Sequence, residues 1–124
     1  MEEIIQKQER FMKERGWDNL NPGDLAKSIM IEGAELLELF QWVNPTKEEL
    51  MSDTEKMEKI KKELADVLIY ALDLAISLNI DPKKIILEKI EMNEKKFPAE
   101  KMITDDWYKN YLLIKKEQRD KNNQ

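Results

Sequence analysis

The chain of 124 residues contains no cysteine and no histidine, and only three glycines and four prolines. Without cysteine there is no disulfide, no thiolate zinc site and no cysteine nucleophile. Without histidine there is no imidazole ligand or base, and no Glu-x-x-His motif of the kind that builds di-iron helical bundles. Scarce glycine and proline argue against β-rich, collagen-like or low-complexity architectures. No uninterrupted apolar run approaches the roughly 18 to 20 residues of a membrane span, and Met1-Glu2-Glu3 lacks the basic flank of a secretory leader. An all-α, cytoplasmic protein with no membrane partner is expected, and its chemistry must come from carboxylates, lysines and hydroxyls.

What is present is charge, and its placement is uneven. Lys plus Arg number 21 against 26 Asp plus Glu, for a formal charge of −5. Residues 28 to 46 hold Glu32, Glu35 and Glu38 and no basic residue; residues 63 to 82 hold Glu63, Asp66, Asp73 and Asp81, again with none. These two stretches are also the most hydrophobic parts of the chain, so acid is concentrated where burial is expected. An ordinary surface helix places opposite charges three or four residues apart on its wet face. These two offer no such partners.

Residues 1 to 15 read as an amphipathic helix stopped by Gly16. Asp24 is the expected N-cap of a second helix reaching about Val43, where Asn44-Pro45 ends it. Thr46 to Lys59 reads as a charged connector, partly helical or mobile. A third helix, from about Glu55 to Leu78, carries Ile60, Leu64, Val67, Leu68, Ala71, Leu74, Ala75 and Leu78 at helical spacing, with Glu63, Asp66, Tyr70 and Asp73 in an adjoining stripe. Asp81-Pro82 opens a fourth helix running to about Lys96. The remainder, with Trp107, Tyr108 and Tyr111, is expected to form a short packed helix with a frayed polar tail. The architecture so predicted is a four-helix α bundle over residues 1–100 with a C-terminal helical extension over 101–124. The third helix is apolar on more of its circumference than four helices cover, which predicts a homo-oligomer packed across a twofold axis.

Glu35 and Glu38 lie three apart on one helix, as do Glu63 and Asp66 on the next, so each pair projects from one side of its helix. Burying unpaired carboxylates costs several kcal/mol per ion, to order of magnitude, after relaxation. With no cationic side chain on either stretch, a bound hard cation is the expected compensation, and an all-oxygen donor set points to Mg²⁺ or Mn²⁺. Glu32 extends the first series as a further ligand, a water-orienting base or a surface acid; Asp73 is open in the same way.

Glu35-Leu-Leu-Glu38, a spacer of 24 residues and Glu63-Leu-Ala-Asp66 together resemble the E-x-x-E, spacer, E-x-x-D motif of the all-α nucleotide pyrophosphohydrolases of the MazG-like superfamily. The surrounding blocks, Ile31 to Trp42 and Glu63 to Tyr70, are similar to compact single-domain members near the dCTP pyrophosphatase branch, and Lys89 to Pro98 resembles the segment that follows in them. The likeness spans about residues 10 to 100. It implies Mg²⁺-dependent hydrolysis of a nucleoside triphosphate between the α and β phosphates, with Glu35, Glu38, Glu63 and Asp66 as metal ligands and catalytic acids, beside which Glu32 is a further catalytic candidate by its spacing alone. It also implies phosphate contacts from Lys89, Asn93 and Lys96, a base site walled by Trp17, Trp42 and Tyr70, and a homodimer or homotetramer. Where that branch often carries an aromatic residue and a histidine, this chain has Leu20 and Asn21, so the base stays open.

Two other functions fit the same residues. One is pyrophosphohydrolysis of another phosphoribosyl nucleotide; the other is a non-enzymatic helical adaptor whose acids meet a partner. No Lys/Arg stripe with interleaved aromatics is present, which argues against a nucleic acid polymer as ligand.

Overall fold

The computed structural model describes residues 1–123, and its regular elements are all helices: α1 (Glu2–Glu14), α2 (Pro22–Glu38), α3 (Lys47–Met51), α4 (Thr54–Ser77), α5 (Pro82–Lys96), α6 (Ala99–Met102) and α7 (Trp107–Asn122). The expected all-α class is what the chain adopts. It divides into two compact units, one of residues Met1–Pro82 and one beginning at Lys83. No helix among the described residues is long and apolar enough to cross a membrane.

In the first unit α2 packs along α4, while α1 and α3 lie against α4 as well. Met12, Leu25 and Ala75 are its buried apolar side chains, and Leu25 is only 1% exposed. Full burial of one leucine stabilises by about 2 kcal/mol. The C-termini of α1 and α4 are closed by the same device. Gly16 sits at φ +69, Trp17 N–H donates to Met12 O at 2.8 Å and Gly16 N–H to Lys13 O at 3.2 Å. This is the paired 6→1 and 5→2 closure of a left-handed helix cap. Asn79, at φ 54, repeats it after α4: Ile80 N–H donates to Ala75 O at 2.8 Å and Asn79 N–H to Ile76 O at 3.1 Å.

Several boundaries differ from the sequence expectation. Helix α2 starts at Pro22 with Asn21 as N-cap, so Asp24 lies inside the first turn, where its charge complements the helix dipole. It also ends at Glu38, leaving Trp42 and Val43 outside the helix. The connector contains its own short helix, α3, begun by a reciprocal cap: Glu49 N–H donates to Thr46 Oγ1, and the Thr46 hydroxyl donates to Glu49 Oε1, each at 3.2 Å. Helix α4 is capped by Asp53, whose Oδ1 accepts from Lys56 N–H at 3.0 Å. In the second unit α7 stays helical to Asn122 instead of fraying from Lys115, in keeping with its run of strong helix formers. It packs on α6, Phe97 stacks on Tyr111 at 5.2 Å between centroids, and Asn110 Nδ2 donates to Lys101 O at 3.1 Å.

Candidate active site

The packing of α2 on α4 brings their acids together. One carboxylate oxygen from each of Glu32, Glu63 and Asp66 lies within 4.8 Å of the others. Glu35 completes the group: its carboxyl lies within hydrogen-bonding reach of Glu32 and of Glu63, contacts that form when one partner carries a proton. Glu38, one turn further along, adds only its charge to the field at Glu63. Among the described residues none of these five acids takes part in an ion pair.

The titration of the group records this crowding. The hydrogen bond with Glu35 raises the Glu32 carboxyl above the ordinary carboxylate range, helped by partial burial and then by the charges of Glu35, Asp66 and Glu63. Burial is the leading cause at Glu63, followed by the charge and hydrogen bond of Glu35 and the charges of Asp66 and Glu38. Glu32 Oε2 and Glu63 Oε2 are both shut off from solvent with no hydrogen-bond partner. Buried polar atoms are nearly always satisfied, so two orphaned carboxylate oxygens in one cluster signal a missing positive ligand. The donor set, several carboxylates without nitrogen or sulfur, suits a hard divalent cation.

Beside the acids lies a cleft of about 640 Å³, lined at one end by Asp66 and along its length by Gln8, Phe11, Trp17, Leu20, Tyr70 and Asp73, among others. The cap at Gly16 turns Trp17 back onto α1, where it meets Phe11 edge to face at 5.9 Å. Trp17 and Tyr70 therefore share one cavity. Trp42 does not line it: with α2 ending early, this indole is 87% exposed. Asp73 is 6% exposed and accepts a 2.8 Å hydrogen bond from Gln8 Nε2. Burial raises its carboxyl, and the Gln8 bond opposes that rise.

Lys89, Asn93 and Lys96 lie on α5, in the second unit. Burial, then the nearby charges of Lys115 and Lys89, push the Lys96 ammonium below its ordinary value, so these lysines form a like-charged cluster. Sequence reasoning overlooked Gln8, Asp24 and Ser28 as cleft residues. For Gln8 a signal was available, because it shares a helix face with Phe11 and Met12 at i+3 and i+4, the side that α1 turns inward.

An all-α scaffold that gathers carboxylates from two helices beside an aromatic cleft defines a class: helical proteins whose site is oxygen-only. Residues 27–111 match the MazG-like family, and the chain belongs to that family. It is 30% identical to dCTP pyrophosphatase 1 of Mus musculus over 101 residues, 80% of this chain and 59% of that one. Identity to the Homo sapiens dCTP pyrophosphatase 1 is 31%, with the same shares. The chain thus spans about three-fifths of the length of these curated relatives. A pyrophosphatase crystal structure from Archaeoglobus fulgidus superposes with a TM-score of 0.70 at 41% identity, covering 80% of this chain and 93% of that one.

Proposed function

We propose that this protein is a divalent-cation-dependent nucleoside triphosphate pyrophosphohydrolase, cleaving between the α and β phosphates to give a nucleoside monophosphate and pyrophosphate, with nucleotide-pool house-cleaning as its role. The observation that carries the reading is the pair of solvent-shielded, partnerless oxygens Glu32 Oε2 and Glu63 Oε2 in a cluster free of cations. The relatives named as dCTP pyrophosphatases and the pyrophosphatase of similar fold support the same reaction class.

Glu32, Glu35, Glu63 and Asp66 are the residues that would hold Mg²⁺, or Mn²⁺ in its place. This shifts the first acidic pair one turn back from Glu35 and Glu38, following the tighter convergence of Glu32. When bound, the ion supplies neutralisation of phosphate charge and acidification of water. A carboxylate oxygen of the cluster that the ion leaves free would accept the proton of the attacking water. Trp17 and Tyr70 wall the base, their flat faces excluding water from it. Lys89 and Lys96, with Asn93, form a basic cluster within the second unit, suited to phosphate because its like-charge crowding is relieved when an anion binds.

Met30, Ile31 and Leu37 on α2 and Leu64 and Leu68 on α4 are exposed, and so are Ile85, Ile86 and Ile90 on α5. Such faces mark an interface, and we infer a homodimer or homotetramer in the cytoplasm, in which the exposed Trp42 is available to a neighbouring subunit. Light scattering of the purified protein checks the assembly; a monomer overturns it.

The function is tested by measuring pyrophosphate release from canonical and modified triphosphates and from phosphoribosyl nucleotides. Release that chelation abolishes and Mg²⁺ restores supports the reading. No release from any nucleotide favours the adaptor, and release confined to non-triphosphate phosphoribosyl nucleotides favours the related hydrolase.

A further inference from the structure

Asp73 stands on the same stripe of α4 as Asp66 and Tyr70, at i+7 and i+3 from them, which is about 10 Å along the helix from Asp66. The distance is that of a sugar and base laid out from a phosphate held at the acid end of the cleft. Asp73 is 6% exposed, yet lines the cavity. Among the described residues its sole hydrogen-bond partner is Gln8, which engages one of its two oxygens. A carboxylate is an unfavourable choice for a purely structural position of this kind, since burying it with a single neutral donor is destabilising and an apolar residue would fill the space. Its second oxygen takes no donor from the protein among the described residues and, unlike Glu32 Oε2 and Glu63 Oε2, is not shut off from solvent, so it is open to a ligand's donor.

The orientation of Gln8 follows from chemistry. An ionised carboxylate only accepts, so the amide must turn Nε2 toward it, as it does at 2.8 Å. Gln8 thereby holds the Asp73 side chain and leaves its other oxygen as an acceptor in the cavity that Trp17 and Tyr70 also line.

We propose that Asp73, oriented by Gln8, reads the nucleobase: its free carboxylate oxygen accepts a hydrogen bond from an exocyclic amino group, so the cleft takes amino-bearing bases in preference to uracil and thymine. The inference rests on the nucleotide reading given above. An amino group projects beyond the ring and reaches a recessed acceptor. The ring N–H of uracil is flanked by two carbonyls, and bringing it to the same oxygen drives acceptor against acceptor, leaving buried groups unpaired. Sites built around one such bond discriminate strongly against the analogue that lacks it.

The test compares dCTP with dUTP, which differ at this edge of the ring. The wild-type protein should favour dCTP by roughly 100-fold in kcat/KM, and Asp73→Asn should shrink that ratio at least about 10-fold. The change should fall on KM for dCTP, with kcat held within about threefold, because the residue binds the base and does not touch the phosphates. Melting temperatures report on folding, and Gln8→Leu, which frees the Asp73 side chain, should erode the same ratio should the first variant be unstable. Binding of dCMP against dUMP, followed by Trp17 fluorescence, is measured in parallel. If no triphosphate is hydrolysed, the catalytic reading fails while this binding comparison still decides the inference. An unchanged dCTP to dUTP ratio in a folded Asp73 variant, or wild-type preference for dUMP, overturns it.

Discussion

Glu58 and Glu63 lie little more than one turn apart on α4, and the protein treats them in opposite ways. A hydrogen bond and the charge of Lys61, with some help from Lys62, hold Glu58 below the ordinary carboxylate range against a small contribution from burial. Glu63 is raised by burial and by three other acids, Glu35, Asp66 and Glu38, with Glu35 foremost among the charges. The first half of α4 is a solvated face stitched by Lys59 to Glu55 at 3.7 Å and Lys61 to Glu58 at 2.8 Å. The second half has no cation at all from Glu63 to Ser77. Residue type does not mark a site here; what marks it is an acid denied its usual partner.

The comparison is broken most severely by neutralising the second half. Glu32→Gln, Glu63→Gln and Asp66→Asn should each lower cation-dependent pyrophosphate release by about a thousandfold or more, since each removes a charge that holds the ion. Glu58→Gln should leave the rate within about twofold, because an exposed pair contributes little. Glu38→Gln falls between them, reducing turnover less than Glu32→Gln, because Glu38 reaches the cluster by charge alone. Equal loss in the Glu38 and Glu32 variants would return the inner set to Glu35 and Glu38.

A smaller effect separates the two halves by pH. Glu32 and Glu63 bind protons more tightly folded than unfolded, so their contribution to stability is full below the ordinary carboxylate value and is lost as pH rises through their raised ones. Glu58 runs the other way: its contribution is present above the ordinary value and lost as pH falls through the lowered one. In chelator, urea midpoints measured between about pH 4 and pH 8 should fall more steeply with pH for the wild type than for Glu63→Gln. Excess Mg²⁺ should raise the wild-type midpoint at the upper end of that range and close the gap in slope, because a ligand of the folded state alone stabilises it.

Much of this was legible in the sequence because both signals are local. The period of Ile60, Leu64, Val67, Leu68, Ala71, Leu74 and Ala75 specifies one long helix, and the lack of Lys or Arg in the acidic stretches singles out the site. The register of the first acidic pair was less legible. Glu32, Glu35 and Glu38 are spaced alike, and only the packing of α2 on α4 shows that Glu32 joins Glu63 and Asp66 within 4.8 Å. Helix α2 stops at Glu38 although Leu39 and Phe40 continue its apolar pattern, because the chain there tightens into three-residue hydrogen bonds, Leu39 N–H to Leu36 O, Phe40 N–H to Leu37 O and Gln41 N–H to Glu38 O. The Gln8 to Asp73 bond joins residues 65 positions apart, a pairing with no trace in local periodicity.

The smallest expected effect sharpens the comparison from its quiet side. Lys61 is the leading reason Glu58 is held low, and both side chains are more than half exposed. Water and salt screen such a pair, and holding two long side chains in one geometry offsets part of the attraction. Lys61→Ala should therefore lower the melting temperature by no more than about 2 °C, and raising the salt should shrink even that difference. Glu63→Gln is expected to do the reverse in the absence of cation, raising the melting temperature at neutral pH, because it removes a charge that the folded state disfavours. Two conservative changes on one helix should thus move stability in opposite directions, while the stabilising one alone abolishes catalysis. A melting temperature that falls in both variants would show that the acids of the second half are paired after all, and that α4 carries one kind of surface along its whole length.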